Sequence, residues 1–289
     1  MKRMKTNREN GFTLVELMVA MTIGLLITLV VTQAYLSGLG TQRAQNSLTR
    51  AQEASRFAFD ALSKAIRRAG YKNPKATGIG FCDSPSVVRL VAGNDMTGIA
   101  PTAANLAGST VTILNTSDVV RVRYFGEGNT VANTADGTVS DCQGNAVAPN
   151  TLIEETFFVA ADANNNNEPT LFCYSSNAAS AANGNVALVP GVESLQMLFG
   201  EDTDSDGSIN RYVTATNLSN ANNVRSIMVS LVTRTPDATA VNQSVQSIVH
   251  FGSNYTPTGD AGSTFNAPAD GRMRQHTVTT FALRNLCPV

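Results

Sequence analysis

The sequence predicts an α+β protein: one long N-terminal helix, apolar at first and then amphipathic, packed on a mainly antiparallel β body. Three observations carry this. Leu17 to Gln42 is a run of 26 residues without a charge. A helical apolar stripe then continues to Ala69. Beyond Tyr71 the chain turns into short β-branched runs separated by Asn, Gly, Pro and Asp.

Composition narrows the function classes. The chain has 289 residues, 43% hydrophobic and 15% charged, too apolar for a disordered segment. A net charge of −1 gives no global basic field for nucleic acid. His250 and His276 are the only histidines, which argues against metal or catalytic sites built on several imidazoles. Asn, Thr, Ser, Ala and Gly dominate the rest, as in an exported, loop-rich β protein.

The elements follow in chain order. Residues 1–11 form a short basic leader with Lys2, Arg3, Lys5 and Arg8 against a single Glu9. The positive-inside rule keeps that end in the cytoplasm and sends the body across the membrane. Residues 12–37 are the membrane-spanning part of the helix. The uncharged run alone covers about 39 Å, more than a bilayer's hydrocarbon core. A secretory signal has a shorter apolar region closed by a small-residue cleavage site, and no such site closes this one. Residues 38–70 are the amphipathic half. Leu48, Ala51, Ser55, Ala58, Leu62, Ala65 and Ala69 recur at spacings of three and four, widened by Phe59 and Ile66. Gly70 and Pro74 end the helix, and Gly38 and Gly40 are places where it could bend. Residues 71–289 are the β-rich domain. Strands are predicted at 86–92, 109–114, 118–125, 152–160, 192–199, 224–233 and 277–286. The four asparagines Asn164 to Asn167 read as a solvated turn.

Glu16 is the unusual residue at the head of the apolar helix. A carboxylate there is costly in lipid and calls for a cation. A cut after Gly11 would give Phe12 a new α-amino group, and Glu16 would become the fifth residue of the mature chain.

Gly11-Phe12-Thr13-Leu14-Val15-Glu16-Leu17, after its basic leader, resembles the class III signal of type IV pilins and type II secretion pseudopilins. The resemblance implies cleavage by a prepilin peptidase between Gly11 and Phe12, N-methylation of Phe12, and a role for Glu16 in docking the subunit into the filament. Further segments are similar to the PilW-type minor pilins. They are Ala65 to Tyr71, Gly191 to Leu195 followed by Asp202 to Tyr212, Val224 to Arg234, and Thr279 to Asn285. That subfamily places a cysteine soon after the position of Gly70-Tyr71, whereas here Cys82 follows an insertion.

Cys82, Cys142, Cys173 and Cys287 all lie in the exported body, and an even count there points to two disulfides. Their spacing leaves all three connectivities open, with buried free thiols as the alternative. Without a C-x-x-C motif a zinc site is not indicated. Asp202-x-Asp204-x-Asp206-Gly207, with Asn210, matches a calcium loop at positions 1, 3, 5, 6 and 9. Val213 stands where the bidentate Glu belongs, and no helix precedes the loop. A weak calcium site and a plain Asp-rich hairpin turn both account for it. No other cofactor is required.

Enzyme chemistry finds no support. Nucleophile-elbow, phosphate-loop and dinucleotide motifs are absent from the sequence, and Glu154 and Glu155 would point to opposite faces of one strand. The expected role is therefore structural: a minor pilin in type IV pilus assembly, in an initiation complex and near the pilus tip. Its expected location is the inner membrane, single-pass, with the body in the periplasm until assembly. The resemblance implies as partners other minor and major pilins, the prepilin peptidase and the inner-membrane assembly machinery. The alternatives are a minor pseudopilin of type II secretion, or a tip adhesin or DNA-uptake module. The leader removes three net positive charges, so the mature chain is more acidic still, which disfavours nonspecific duplex binding.

Overall fold

A computed structural model describes residues 11–76, 90–91, 112–181, 184–238, 245–253, 255, 260 and 262–285. The elements in order are α1 (Leu14–Arg68), β1 (Leu90–Val91), β2 (Val120–Phe125), β3 (Gly128–Asn129), β4 (Thr134–Ala135), β5 (Leu152–Asp162) and β6 (Glu168–Ser175). Then come α2 (Ala178–Ala181), β7 (Val186–Pro190), β8 (Val192–Glu201), β9 (Arg211–Val213), β10 (Val224–Arg234), β11 (Gln246–Val249), β12 (Thr264–Ala267) and β13 (Arg274–Ala282). By contacts the chain divides into a unit ending at Asn46 and a unit starting at Ser47.

In the first unit the described residues 14–46 are continuous helix, with no break at Gly38 or Gly40. Its apolar side chains are exposed, Leu25 and Met21 among them. Thr22, Thr28 and Thr32 donate their hydroxyls to carbonyls three or four residues back, so each polar group is satisfied within the helix.

In the second unit α1 buries one stripe: Ser47, Ala51, Ser55, Ala58, Leu62, Ala65 and Ile66. The small residues let the backbone lie close to the sheets, and the Thr233 hydroxyl donates to the Ala51 carbonyl across that interface. The expected stripe differs at its start. Leu48 is 37% exposed, and Ser47 takes the inward position. The helix ends where expected. Gly70 adopts φ 75°, a left-handed conformation that glycine accepts without steric cost. Its N–H donates to the Arg123 carbonyl at 3.0 Å, and the Phe125 N–H donates back to Tyr71 at 2.8 Å. The chain leaving the helix is thus tied directly to β2.

Two antiparallel sheets make the body. One has the order β1-β2-β5-β6-β7 and the other β13-β10-β8-β9, with β11-β12 and β3-β4 as separate two-stranded pieces. One core joins helix and both sheets: Leu62 and Ile66 from α1, Tyr124, Phe157 and Leu171 from the first sheet, and Leu195, Phe199, Ile227 and Leu231 from the second. Strand β8 is buried along its whole length. The predicted strands at 118–125, 152–160, 192–199, 224–233 and 277–286 correspond to β2, β5, β8, β10 and β13. Strands β3, β4, β6, β7, β9, β11 and β12 lie outside the predicted runs, and the predicted runs at 86–92 and 109–114 lie mostly outside the described residues. β6 opens with Glu-Pro, and Phe172 and Tyr174 on its half-buried face are as apolar as Leu171 and Cys173 on its buried one, so its sequence lacks clean alternation. Asn164 to Asn167 form the β5–β6 hairpin tip, where Asn166 and Asn167 take positive φ, which asparagine tolerates.

Candidate functional site

The N-terminal head is a capping box. The Thr13 backbone N–H and hydroxyl both donate to Oε2 of Glu16 at 3.0 Å, and the Glu16 N–H donates to the Thr13 hydroxyl at 3.3 Å. Thr13-Leu14-Val15-Glu16 therefore satisfies reciprocally two of the donors that a helix start leaves open. Only Oε2 is engaged; Oε1 of Glu16 has no partner among the described residues. Phe12, one residue before the box, is 90% exposed. Gly11 precedes it with no neighbouring atom within 4 Å of where a side chain would begin. The capping role of Thr13 was missed in the sequence, although a Thr-x-x-Glu before an apolar run is its signature.

The Asp-rich loop joins β8 to β9. Carboxylate oxygens of Asp202, Asp204 and Asp206 lie within 4.8 Å of one another. Asp202 is buried and already served. Its Oδ1 accepts from the Ser205 N–H at 2.7 Å, and its Oδ2 from the Gly207 N–H at 3.0 Å. Arg225 from β10 closes an ion pair with it at 3.0 Å. Burial works to raise the Asp202 pKa, but the Arg225 bond and the two backbone donors outweigh it and hold the carboxyl below the usual range. Asp204 and Asp206 are exposed and accept the N–H groups of Asp206 and Ser208, while Asn210 donates to Asp204 at 3.2 Å. The turn is thus complete through its own hydrogen bonds. Val213, at the twelfth position, lies in β9 and supplies no oxygen from its side chain.

Cys142 and Cys173 form a disulfide, with Cα atoms 6.5 Å apart, that staples the loop before β5 to β6. Cys82 and Cys287 lie outside the described residues. Beside the staple, Glu154 and Glu155 point to opposite faces, as strand alternation requires. Glu154 pairs with Arg121 and Arg123 at 2.9 and 2.6 Å. Glu155 is buried and accepts from the Tyr124 hydroxyl and the Cys142 N–H, both at 2.6 Å. Burial raises its pKa despite the nearby Arg68.

The two histidines, far apart in sequence, meet at one hydroxyl. Ser230 Oγ lies 2.8 Å from Nδ1 of His250 and 2.8 Å from Nε2 of His276, and donates to the His250 carbonyl at 3.2 Å. Nε2 of His250 faces Ser194 Oγ at 2.9 Å. Among the described residues no carboxylate hydrogen-bonds either ring, so the group lacks the orienting acid of a nucleophilic triad. It is a polar clasp between β8, β10, β13 and the turn after β11, in which Ser194, Ser230 and His250 are buried and His276 is exposed. Burial, and then the neighbouring His276, push the His250 pKa down to about 3. Sequence could not reveal the clasp, because it depends on the β8–β10–β13 register.

Comparison with known proteins bears on both ends of this description. Residues 6–32 match the family model of the prokaryotic N-terminal methylation motif, and residues 156–285 match that of type IV pilus-assembly protein W. Among solved structures the chain is similar to a type IV-like pilin from Thermus thermophilus. The identity is 14% and the TM-score 0.43, over 81% of this chain and 97% of that one. Comparison with curated proteins gives no match.

Proposed function

We propose, for a chain that belongs to the type IV minor pilin family, that it works in the complex that initiates pilus assembly at the inner membrane and then remains near the tip. The observation that carries this reading is the pairing, on one chain, of a methylation-type head at 6–32 with a PilW-type body at 156–285. The body is a structural module anchored through α1, which has one stretch long and apolar enough to cross a membrane. Its partners are other pilins and the assembly machinery, with the prepilin peptidase acting at Gly11-Phe12.

The head supplies the assembly chemistry. After cleavage Phe12 carries an ammonium. Glu16 keeps Oε2 on its own helix cap and offers Oε1 to the ammonium of a neighbouring subunit. In an apolar layer a correctly placed subunit satisfies both charges, and a misplaced one leaves both unpaired. The pair therefore selects register more than it adds stability.

Deleting the gene tests the reading. Loss of surface pili and twitching is the expected result. Normal piliation with loss of exoenzyme export would assign the chain to type II secretion instead. N-terminal sequencing of the native protein should begin at a methylated Phe12, and a start at Met1 would overturn the processing step.

A further inference from the structure

The chain has two imidazoles, and the fold brings both to one point. Nδ1 of His250 and Nε2 of His276 each lie 2.8 Å from Ser230 Oγ. The ring centroids are 5.6 Å apart and the planes stand at 88°. Paired strands hold this geometry. Ser230 lies within β10 and pairs on both sides, with Gln196 of β8 and Val278 of β13. His276 belongs to β13. His250 follows β11, where its backbone N–H donates to the Ser263 carbonyl at 2.9 Å. Nε2 of its ring lies 2.9 Å from Ser194 Oγ.

We propose that this point is a binding site for a divalent late transition-metal ion, copper before the others, with Nδ1 of His250 and Nε2 of His276 as its protein ligands. Neutral imidazole nitrogens suit zinc, nickel and copper, whereas calcium and magnesium want oxygen, and the Irving–Williams order puts Cu²⁺ first. A metal–imidazole bond is about 2.0–2.1 Å long. The hydroxyl oxygen at the meeting point is 2.8 Å from each ring nitrogen, so an ion in its place needs each nitrogen to approach by about 0.7 Å. A χ1 rotation of Ser230 clears the point for the ion. His250 is buried and His276 exposed, so the ion enters past His276 and water completes its coordination on that side.

Ser194 is the positioning residue. When Nε2–H of His250 donates to Ser194 Oγ, the lone pair of that ring lies on Nδ1 and faces the meeting point. An outer partner of this kind fixes the tautomer of a ligating histidine. The site is distinct from the Asp-rich loop, which offers carboxylate oxygens.

The test titrates Cu²⁺ alone into the full-length protein in detergent, purified without a histidine tag, so that these two rings are the only imidazoles. Pulsed electron paramagnetic resonance reads the remote ring nitrogen of each copper-bound imidazole, a signal that carboxylates and an α-amine do not give. The expected result is one copper with two imidazoles and a melting temperature that rises with copper. His276→Ala, at an exposed position, should lose the two-imidazole signal and the rise, and bind at least about tenfold more weakly. Ser194→Ala should keep both imidazoles and weaken binding by about 10–100-fold; unchanged affinity would remove its role. Wild-type copper held by one imidazole or none, or a His276→Ala protein that binds as tightly as wild type, would overturn the proposal. Neither outcome bears on the pilus reading, which the deletion phenotype tests.

Discussion

At the scale of single residues, Glu16 does two jobs that substitutions can separate. Thr13→Ala removes the cap and keeps the charge, at a cost of about 1 kcal/mol to the helix start. Glu16→Gln keeps an acceptor for the cap and removes the charge. If charge pairing selects register, Glu16→Gln inserts and is cleaved normally but enters pili poorly, while Thr13→Ala assembles. A piliation assay on both decides it, and normal assembly of Glu16→Gln would remove the electrostatic account. His250 gives a pH dependence. Its pKa is about 3 in the folded chain against 6.5 unperturbed, so the unfolded state takes up the proton first as pH falls. The stability from keeping this ring neutral is complete above pH 6.5 and declines by about 1.4 kcal/mol per pH unit toward pH 3. Melting curves from pH 7 to 4 should show that slope, and His250→Gln should flatten it. The Asp202 turn is already satisfied by Arg225 and its own backbone. Calcium should therefore bind no tighter than about 10⁻³ M, the weak end of extracellular modules; micromolar binding by calorimetry would contradict this. The pairing of Arg225 with Asp202 depends on a register between β8 and β10 that no local pattern encodes.

At the scale of elements, what was legible followed periodicity. The amphipathic half of α1 and the alternating strand β2 were visible because one face of each is buried and the other is less so. Strands covered on both faces, such as β8 and β10, were visible instead as short apolar runs bounded by turn residues. β6, with its Glu-Pro start, and β11, with its Gln-Ser start, carry neither signal. The disulfide was legible as a count and a compartment but not as a pairing, since Cys142 and Cys173 approach only once β5 and β6 are in register. Opening it frees a loop of 31 residues. A Cys142→Ser/Cys173→Ser protein should lose about 3–4 kcal/mol on the chain-entropy estimate, measured by denaturant unfolding. Non-reducing mass spectrometry should recover the 142–173 linkage.

At the scale of the molecule, the sequence predicts an order of parts: leader, apolar helix, amphipathic helix, β body. It does not reveal that two sheets rather than one share a core with the buried stripe of the helix, because their separation depends on long-range pairing such as β10 with both β8 and β13. Nor does it reveal the ionic seam at one end of the body. There Arg234 and Arg274 both reach the buried Glu193, at 3.2 and 2.9 Å, while Arg234 also pairs with Glu168 at 2.7 Å. Such a seam orders the ends of β6, β8, β10 and β13 relative to one another. Removing one partner would leave a buried charge without a counterion, a larger loss than the pair itself contributes.

The junction after α1 has a mechanical consequence. Any tension carried along the body's part of the helix leaves it at Gly70 and Tyr71, which are hydrogen-bonded to Arg123 and Phe125 of β2. From β2 it passes into β5 and β6, where covalent sulfur holds β6 to the loop before β5. Tension on the helix end is thus shared across a sheet before any one strand can peel away. The body resists extension as a stapled fabric does, by spreading the pull over many threads.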